Sequence, residues 1–389
     1  MKEALVGPGP RVQIVDSPIP EPNPDQLLIK VVVSGSNPKD WKIPEIWTDK
    51  PTNEGDDIAG IVEKVGANVF EFKPGDRVAA FHQMRTPHGS YAEYAIAWQH
   101  TTFHIPAKIS FEEAAAIPLA AMTAAIGLYN YLGLPQPWSP PSAAAAASST
   151  PLLIYGAATS VGFYALQLAL RSNIHPLICV AGRACDYVRP LLDPSKGDVV
   201  LDYRQGDEAL VRAIVEAAHA RPPQQQQQQQ EQQQQEQPQQ PQQKRKPLRH
   251  VLDAVSEGSS VGNIGNVFRA LAAGAEEADL GPEAPPPPAP PSAGRVTFVL
   301  SGEKKGLPEG VEHSITMVGD VHKAAKDFGY VYFRYFARGL QEGWFRPHRT
   351  EVVPGGLGGV QTALANLKAG KASAVKYVFR IDETEGVGK

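Results

Sequence analysis

The hydrophobic pattern of the chain changes rhythm near residue 111. Before that point it is built of short β-branched or alternating runs. These are Gln26–Ser34 (QLLIKVVVS), Gly55–Val65 (GDDIAGIVEKV), Asp76–Phe81 (DRVAAF) and Ser90–Ala97 (SYAEYAIA). Pro/Gly turns such as Lys73-Pro-Gly-Asp76 separate them, so a barrel-like domain of short strands is expected. Ser110 followed by Glu112 and Glu113 predicts a helix start, with the acids at its positive end. From Thr150 the rhythm is βαβ. Apolar strands are expected at Leu152–Tyr155, Leu177–Ala181, Asp198–Asp202, His250–Val255 and Arg295–Leu300. Helical spacing lies between them at Val161–Arg171, Tyr187–Leu192 and Glu208–Ala220. Strands alternating with helices predict a parallel sheet covered on both faces. Val321–Gly343 and Gly356–Gly370 read as helices again, and Tyr377–Ile381 as a closing strand.

Three stretches fit neither pattern: Trp138–Pro151 (Pro/Ala/Ser), Gln224–Gln243 (almost pure Gln/Glu/Pro) and Pro285–Pro291. They carry too little apolar surface to offset the entropy of ordering and are expected to be disordered insertions. The rest of the 389 residues suffices for about two domains. A net charge of −4 argues against a dedicated nucleic-acid binder, and the basic run Lys244–Lys246 with Arg249 reads as a solvated charge cluster. Ala114–Leu134 is uncharged and long enough to span a bilayer, but its Ala content, Pro118 and Asn130 favour a buried helix over a membrane partner. Met1–Pro10 has no secretory pattern, and two cysteines, Cys179 and Cys185, suit a reducing compartment, so a cytoplasmic location is expected.

Candidate chemistry centres on Leu152-Leu-Ile-Tyr-Gly-Ala-Ala-Thr-Ser-Val-Gly162, a strand running through a glycine turn into a helix. Gly156 permits the turn, Gly162 lets helix and strand approach, and the helix-start amides suit a diphosphate. Thr159 and Ser160 stand where further glycines are usual, and their hydroxyls can donate to phosphate. Taken alone, such a turn is as consistent with a structural bend as with a nucleotide site. The second strand ends in Gly182-Arg183, where NAD-binding folds place an acid on the ribose hydroxyls. Arg183 can instead pair with a 2′-phosphate, which favours NADPH, although Asp186 nearby opposes this.

At this point the chain resembles a known family. Asn37-Pro-Lys-Asp-Trp-Lys42, Gly55-Asp-Asp-Ile-Ala-Gly60, Pro74-Gly-Asp-Arg-Val78, Gly89-Ser-Tyr-Ala-Glu-Tyr94, Pro118–Leu128, the glycine turn, Asp202-Tyr-Arg204 and the stretch from Gly356 to Lys376 occur in the order typical of medium-chain dehydrogenases/reductases. The similarity is to their zinc-free quinone-oxidoreductase-like branch, which includes fungal trans-acting enoyl reductases. The resemblance implies an α/β chain with two parts. One is a GroES-like β-barrel domain from residues 1–115 and 320–389. The other is a Rossmann doubly wound parallel sheet at 116–319, with inserts near 138–151, 222–247 and 275–294. By the same resemblance NADPH lies in the cleft, in contact with Thr123, Gly156, Ala157, Ala158, Thr159, Ser160, Val161, Gly162, Gly182, Arg183 and Tyr203. Ala254, Val255, Leu300 and Ser301 approach its nicotinamide.

Zinc relatives of this superfamily have Cys and His where this chain has Asn37 and Asp56, and a four-cysteine cluster is absent, so no metal is expected. His100 and His104, though spaced H-x₃-H, read as extended chain and not as a ligand pair. Without a Lewis acid, the chemistry that remains is hydride transfer to an electron-poor acceptor, an enoyl (α,β-unsaturated carbonyl) compound or a quinone. Asn37 and Lys42 are the candidates for the developing enolate oxygen. The aromatic run Phe328–Phe336 is expected either beside the substrate or at a packing interface. Expected partners are a small-molecule enone or quinone, or a polyketide on a carrier protein; nucleic acid and membrane are not expected, and a homo-oligomer is left open. A competing reading is a reductase-like, NADPH-binding interaction protein whose Gln- and Pro-rich segments recruit partners.

Overall fold

The computed structural model describes residues 1–47, 50–139, 150–220, 247–276, 294–302 and 304–387. Gln224–Gln243, Lys244–Lys246 and Pro285–Pro291, and all but the ends of Trp138–Pro151, lie outside the described residues. Within them the chain forms two compact units, one from Met1–Met122 with Val318–Lys389, the other Thr123–Met317.

The chain enters the first unit through a hairpin, β1 (Lys2–Gly7) and β2 (Arg11–Asp16), which lies upstream of the first strand expected from the pattern. Five more strands follow: β3 (Gln26–Gly35), β4 (Asp57–Val65), β5 (Arg77–Phe81), β6 (Tyr94–Trp98) and β7 (Thr102–His104). The expected strand Ser90–Ala97 is thus shorter at its start, where only an isolated Glu3–Ala92 bridge forms. Helix Lys39–Trp47 sits between β3 and β4. Ser110 caps the next helix by a reciprocal capping box with Glu113. The helical stretch Phe111–Tyr131 is apolar enough to cross a bilayer, but 83% of its most apolar window is buried inside the protein.

The second unit carries β8 (Leu152–Tyr155), β9 (Leu177–Ala181), β10 (Val199–Asp202), β11 (His250–Asp253), β12 (Gly294–Phe298) and β13 (Val311–Ile315). All pair in parallel, in the order β10-β9-β8-β11-β12-β13. This is the doubly wound order of dinucleotide folds, and the order reverses between β8 and β11. Helices Ser160–Arg171, Asp207–His219 and Ser260–Glu276 connect the strands. The last helix and β13 have no counterpart in the expected pattern. Buried Leu153, Ile178, Ile214, Val251, Val267 and Phe298 form this unit's core.

The chain then returns to the first unit through helix Lys326–Glu342, β14 (Thr350–Val352), helix Val360–Lys368 and β15 (Lys376–Arg380). Its sheet runs β14-β15-β3-β4-β5-β7, with β6 also paired to β3. Residues from both ends of the chain, such as Val6, Ile29, Tyr91, Leu357 and Phe379, share one core. The aromatic run divides by helix face: Tyr332, Phe333 and Phe336 are fully buried, Phe333 stacking on Phe103, while Tyr330 is exposed. It is therefore mainly core of the first unit.

Candidate functional site

In the second unit the glycine turn lies at the point where strand order reverses. Gly156 adopts φ +85°, a left-handed conformation that suits glycine. A Cβ there would stand 2.6 Å from Val255 Cγ2, so the turn after β8 and the end of β11 touch at this glycine. A Cβ on Gly162 would stand 2.2 Å from the Gly156 carbonyl oxygen. These glycines leave a backbone-lined concavity that any side chain would fill. Thr159 caps the following twelve-residue helix by accepting from the Gly162 N–H at 3.1 Å. The first amides of the helix, on Ser160 and Val161, keep no protein acceptor among the described residues and are partly exposed. Donors at the positive end of a helix are suited to a phosphate.

Beside this turn, Gly182, Arg183, Cys185, Asp186, Arg189, Asp202 and Arg204 line a cavity of about 320 Å³. Arg204 clamps Asp202 through both carboxylate oxygens, at 2.9 Å from Nε and 2.5 Å from Nη2. These hydrogen bonds hold the Asp202 carboxyl down at about 2. Arg189 lies 3.7 Å from Asp186. Arg183 pairs with no carboxylate among the described residues. Tyr203, half-exposed, packs its ring against Gly182 closely enough that a Cβ there would meet it at 2.6 Å. The cavity thus joins three guanidinium groups to two engaged carboxylates.

Ala254 is placed beside the turn, its N–H bonding the Tyr155 carbonyl at 2.9 Å. β12 ends at Phe298, two residues before the expected Leu300, so Leu300 and Ser301 lie past its end, and Thr123 is buried in helix Pro118–Ala125 without lining the cavity. A residue the pattern did not reveal is Asp253. It is fully buried and accepts from the Val255 and Ser256 N–H groups, both at 2.8 Å, and from Ser260 Oγ at 2.7 Å. It fixes the loop after β11 that meets Gly156.

In the first unit, Asn37 is only 4% exposed. Its carboxamide donates to Asp57 at 2.7 Å and accepts from Lys376 Nζ at 2.8 Å. This corrects the expectation that Asn37 presents an open donor to an enolate, since both of its polar atoms are already engaged. Lys42 is half-buried, with its ammonium 5.3 Å from the centre of the Trp41 ring. Three residues before it, Lys39 ion-pairs with Asp56 and lies 3.0 Å from Asp40 and 3.6 Å from Glu54. Tyr91 donates to Asp40 at 2.5 Å. Motif spacing could not show this cluster, because Glu54 and Asp56 reach Lys39 from a separate segment of the chain. His100 bonds the Val321 carbonyl at 3.0 Å and His104 the Glu71 carbonyl at 3.3 Å, so they do not converge. Among the described residues no group of three or more His, Cys, Asp or Glu is arranged to hold a metal ion.

Comparison with known proteins adds to this picture. Residues 23–107 match the alcohol dehydrogenase GroES-like domain family. A trans-enoyl reductase of Gibberella fujikuroi is 42% identical over 91% of this chain and 91% of its own length. A chloroplastic quinone-oxidoreductase homolog of Spinacia oleracea is 35% identical over 50% of this chain and 57% of its own. Among solved structures, the quinone oxidoreductase of Coxiella burnetii shares the fold, with a TM-score of 0.65 at 20% identity over 98% of this chain and 99% of that one.

Proposed function

The chain belongs to the medium-chain dehydrogenase/reductase superfamily, in its enoyl- and quinone-reductase branch, and we propose that it works with NADPH and without a metal. It is an oxidoreductase acting on enoyl or quinone substrates, with a nicotinamide cofactor. The observation that carries the NADPH reading is Arg183, an arginine with no carboxylate partner among the described residues, lining a cavity whose two acids are already paired. A ribose diol needs an acceptor there, whereas a 2′-phosphate needs a cation.

The residues present fit such a cofactor. Ser160 and Val161 offer amides, and the Gly156–Gly162 concavity offers room for a diphosphate. When bound, the nicotinamide supplies the hydride. Everything else falls to the chain. Gly182, with the Tyr203 ring packed against it, lines the cavity, and Arg183 offers charge. Lys42 is the candidate to stabilise negative charge on the substrate oxygen, and Asn37 braces the backbone two residues before the Lys39 cluster. The positions that hold zinc ligands in metal-dependent relatives are already served by cations of the chain, Lys376 at Asn37 and Lys39 at Asp56.

The test is turnover. Purified protein should consume NADPH with 9,10-phenanthrenequinone or a small enone, keep that activity after exhaustive chelation, and lose efficiency when NADH replaces NADPH. Nucleotide binding with no turnover across a broad enone and quinone panel would overturn the reading.

A further inference from the structure

The cavity beside the glycine turn holds one ion pair with unusually complete geometry. Asp202 is the last residue of β10, and across the ladder it pairs with Ala181, the residue before Gly182-Arg183. Strand pairing therefore sets an acidic residue at the corner that carries Arg183, and both line the cavity. Arg204 takes hold of both carboxylate oxygens. Its Nε donates to Oδ1 at 2.9 Å and to Oδ2 at 3.1 Å, and its Nη2 donates to Oδ2 at 2.5 Å. The Arg204 backbone N–H adds a bond to Oδ1 at 3.0 Å. The partners are two positions apart on a tight turn that Asp202 itself caps, so the clamp is built locally.

A bidentate guanidinium–carboxylate pair is among the strongest and most directional of polar contacts. These bonds hold the Asp202 carboxyl down at about 2, so at neutral pH protonation does not silence it and only pairing can. The other acid of the cavity, Asp186, keeps 96% of its side chain in water, 3.7 Å from Arg189, where its charge is screened. Asp202, at 21%, is the less solvated of the two. Without Arg204 it would have two alternatives. It could pair with Arg183 and occupy the cation that a 2′-phosphate needs. It could instead accept from a ribose diol, as acidic residues do in folds that select the unphosphorylated cofactor. Either outcome favours NADH.

We propose that Arg204 is a specificity-determining residue that acts through Asp202: by masking this carboxylate it keeps Arg183 available to a 2′-phosphate and denies a ribose diol its acceptor. The proposal rests on the NADPH reading above and deepens it. Arg204 is thus a positioning residue that does not itself meet the phosphate. The charges of the cavity agree with this role. Arg183, Arg189 and Arg204 against Asp186 and Asp202 leave one positive charge, and removing Arg204 leaves none.

Calorimetric titration with NADPH and with NADH tests the clamp in the native chain, Arg204→Gln and Arg204→Gln/Asp202→Asn. Asn keeps an acceptor for the turn while removing the charge of Asp202. Arg204→Gln should weaken NADPH binding roughly tenfold, the scale of one unmasked charge near a protein surface, and should tighten NADH binding. The double variant should return both nucleotides to within roughly threefold of native, because no charge is left to mask. A merely structural role for Arg204 would weaken both nucleotides alike and would not be rescued by the second change. NADPH binding that stays weak in the double variant overturns the proposal, since Arg204 would then meet the phosphate itself. Native-like binding of both nucleotides by Arg204→Gln overturns it as well. If the native chain shows no preference for NADPH, the NADPH reading falls instead, and the NADH titrations still decide the clamp. Tightening in Arg204→Gln that the double variant cancels supports it, and no tightening overturns it.

Discussion

The Lys376 ammonium lies 2.6 Å from a carboxylate oxygen of Asp57, and the two residues are 319 positions apart. Both side chains are almost sealed from solvent, at 3% and 0% exposure. Asp57 also accepts from Asn37 at 2.7 Å and from the Leu119 N–H at 2.7 Å, so each carboxylate oxygen has a donor. A single carboxylate thereby ties β4, the turn after β3, a helix start and the returning strand β15 within the first unit.

Removing one partner of a buried, hydrogen-bonded pair leaves the other charge uncompensated. Lys376→Met is expected to lower stability by about 3–5 kcal/mol. Urea unfolding checks this. The double variant Lys376→Met/Asp57→Asn should lose less than the sum of the single changes, since it leaves no unpaired charge.

Arg183→Ala should raise the KM for NADPH at least tenfold while changing that for NADH little, because only the former offers a 2′-phosphate. Steady-state kinetics with both nucleotides decide it. Equal effects on the two would remove Arg183 from the cofactor reading.

Gly162→Ala would set a Cβ 2.2 Å from the Gly156 carbonyl oxygen and 2.8 Å from Ala157 Cα. Both obstacles are backbone, so the turn must shift. Calorimetry should show nucleotide affinity reduced at least tenfold, roughly 1.4 kcal/mol. Gly262→Ala is the control. Gly262 lies in helix Ser260–Glu276 with nothing within 4 Å of a new Cβ, so it should gain about 0.5–1 kcal/mol and bind nucleotide normally.

Burial, aided by His100, pushes His322 down to about 3, and burial likewise lowers His82. In the unfolded chain both histidines take up protons as pH falls through about 6.5, whereas in the folded chain they stay neutral. Their contribution to stability is therefore complete above that pH and is lost as pH falls from about 6.5 towards the folded values. The raised Asp56 has the opposite sign: its contribution is complete below about 4 and is lost progressively as pH rises from there through about 8. The two signs oppose each other between pH 7 and pH 5, so the readout is a difference: on that acidification the melting temperature of His322→Phe should fall less, or rise more, than that of the native chain.

The parts of the fold that were legible share one property. The βαβ rhythm, the capping box at Ser110 and Glu113, and the glycine turn are all specified by residues within a few positions of one another. The misses also have a common cause. β13 (VEHSI) and β14 (TEV) are short and polar, and their strand state depends on pairing with β12 and β15. Helix Ser260–Glu276 carries Gly262 and Gly265 in its first half, which weakens its local signal.

The amino-acid order alone established two kinds of strand-bearing domain, a nucleotide-type turn and the motif order of a reductase family, because periodicity and turn chemistry act over short range. It also placed Arg183 at the end of the second strand. It could not assign partners across the chain. That Asn37 is engaged by Asp57 and Lys376, that Arg204 clamps Asp202 and Arg183 has no carboxylate partner among the described residues, and that Lys39 is enclosed by three carboxyls follow only once the strands are paired. Burial is the reason. A lysine or aspartate has the same side chain in either setting, and only the surrounding protein determines whether its charge is solvated, paired or displaced to another pH.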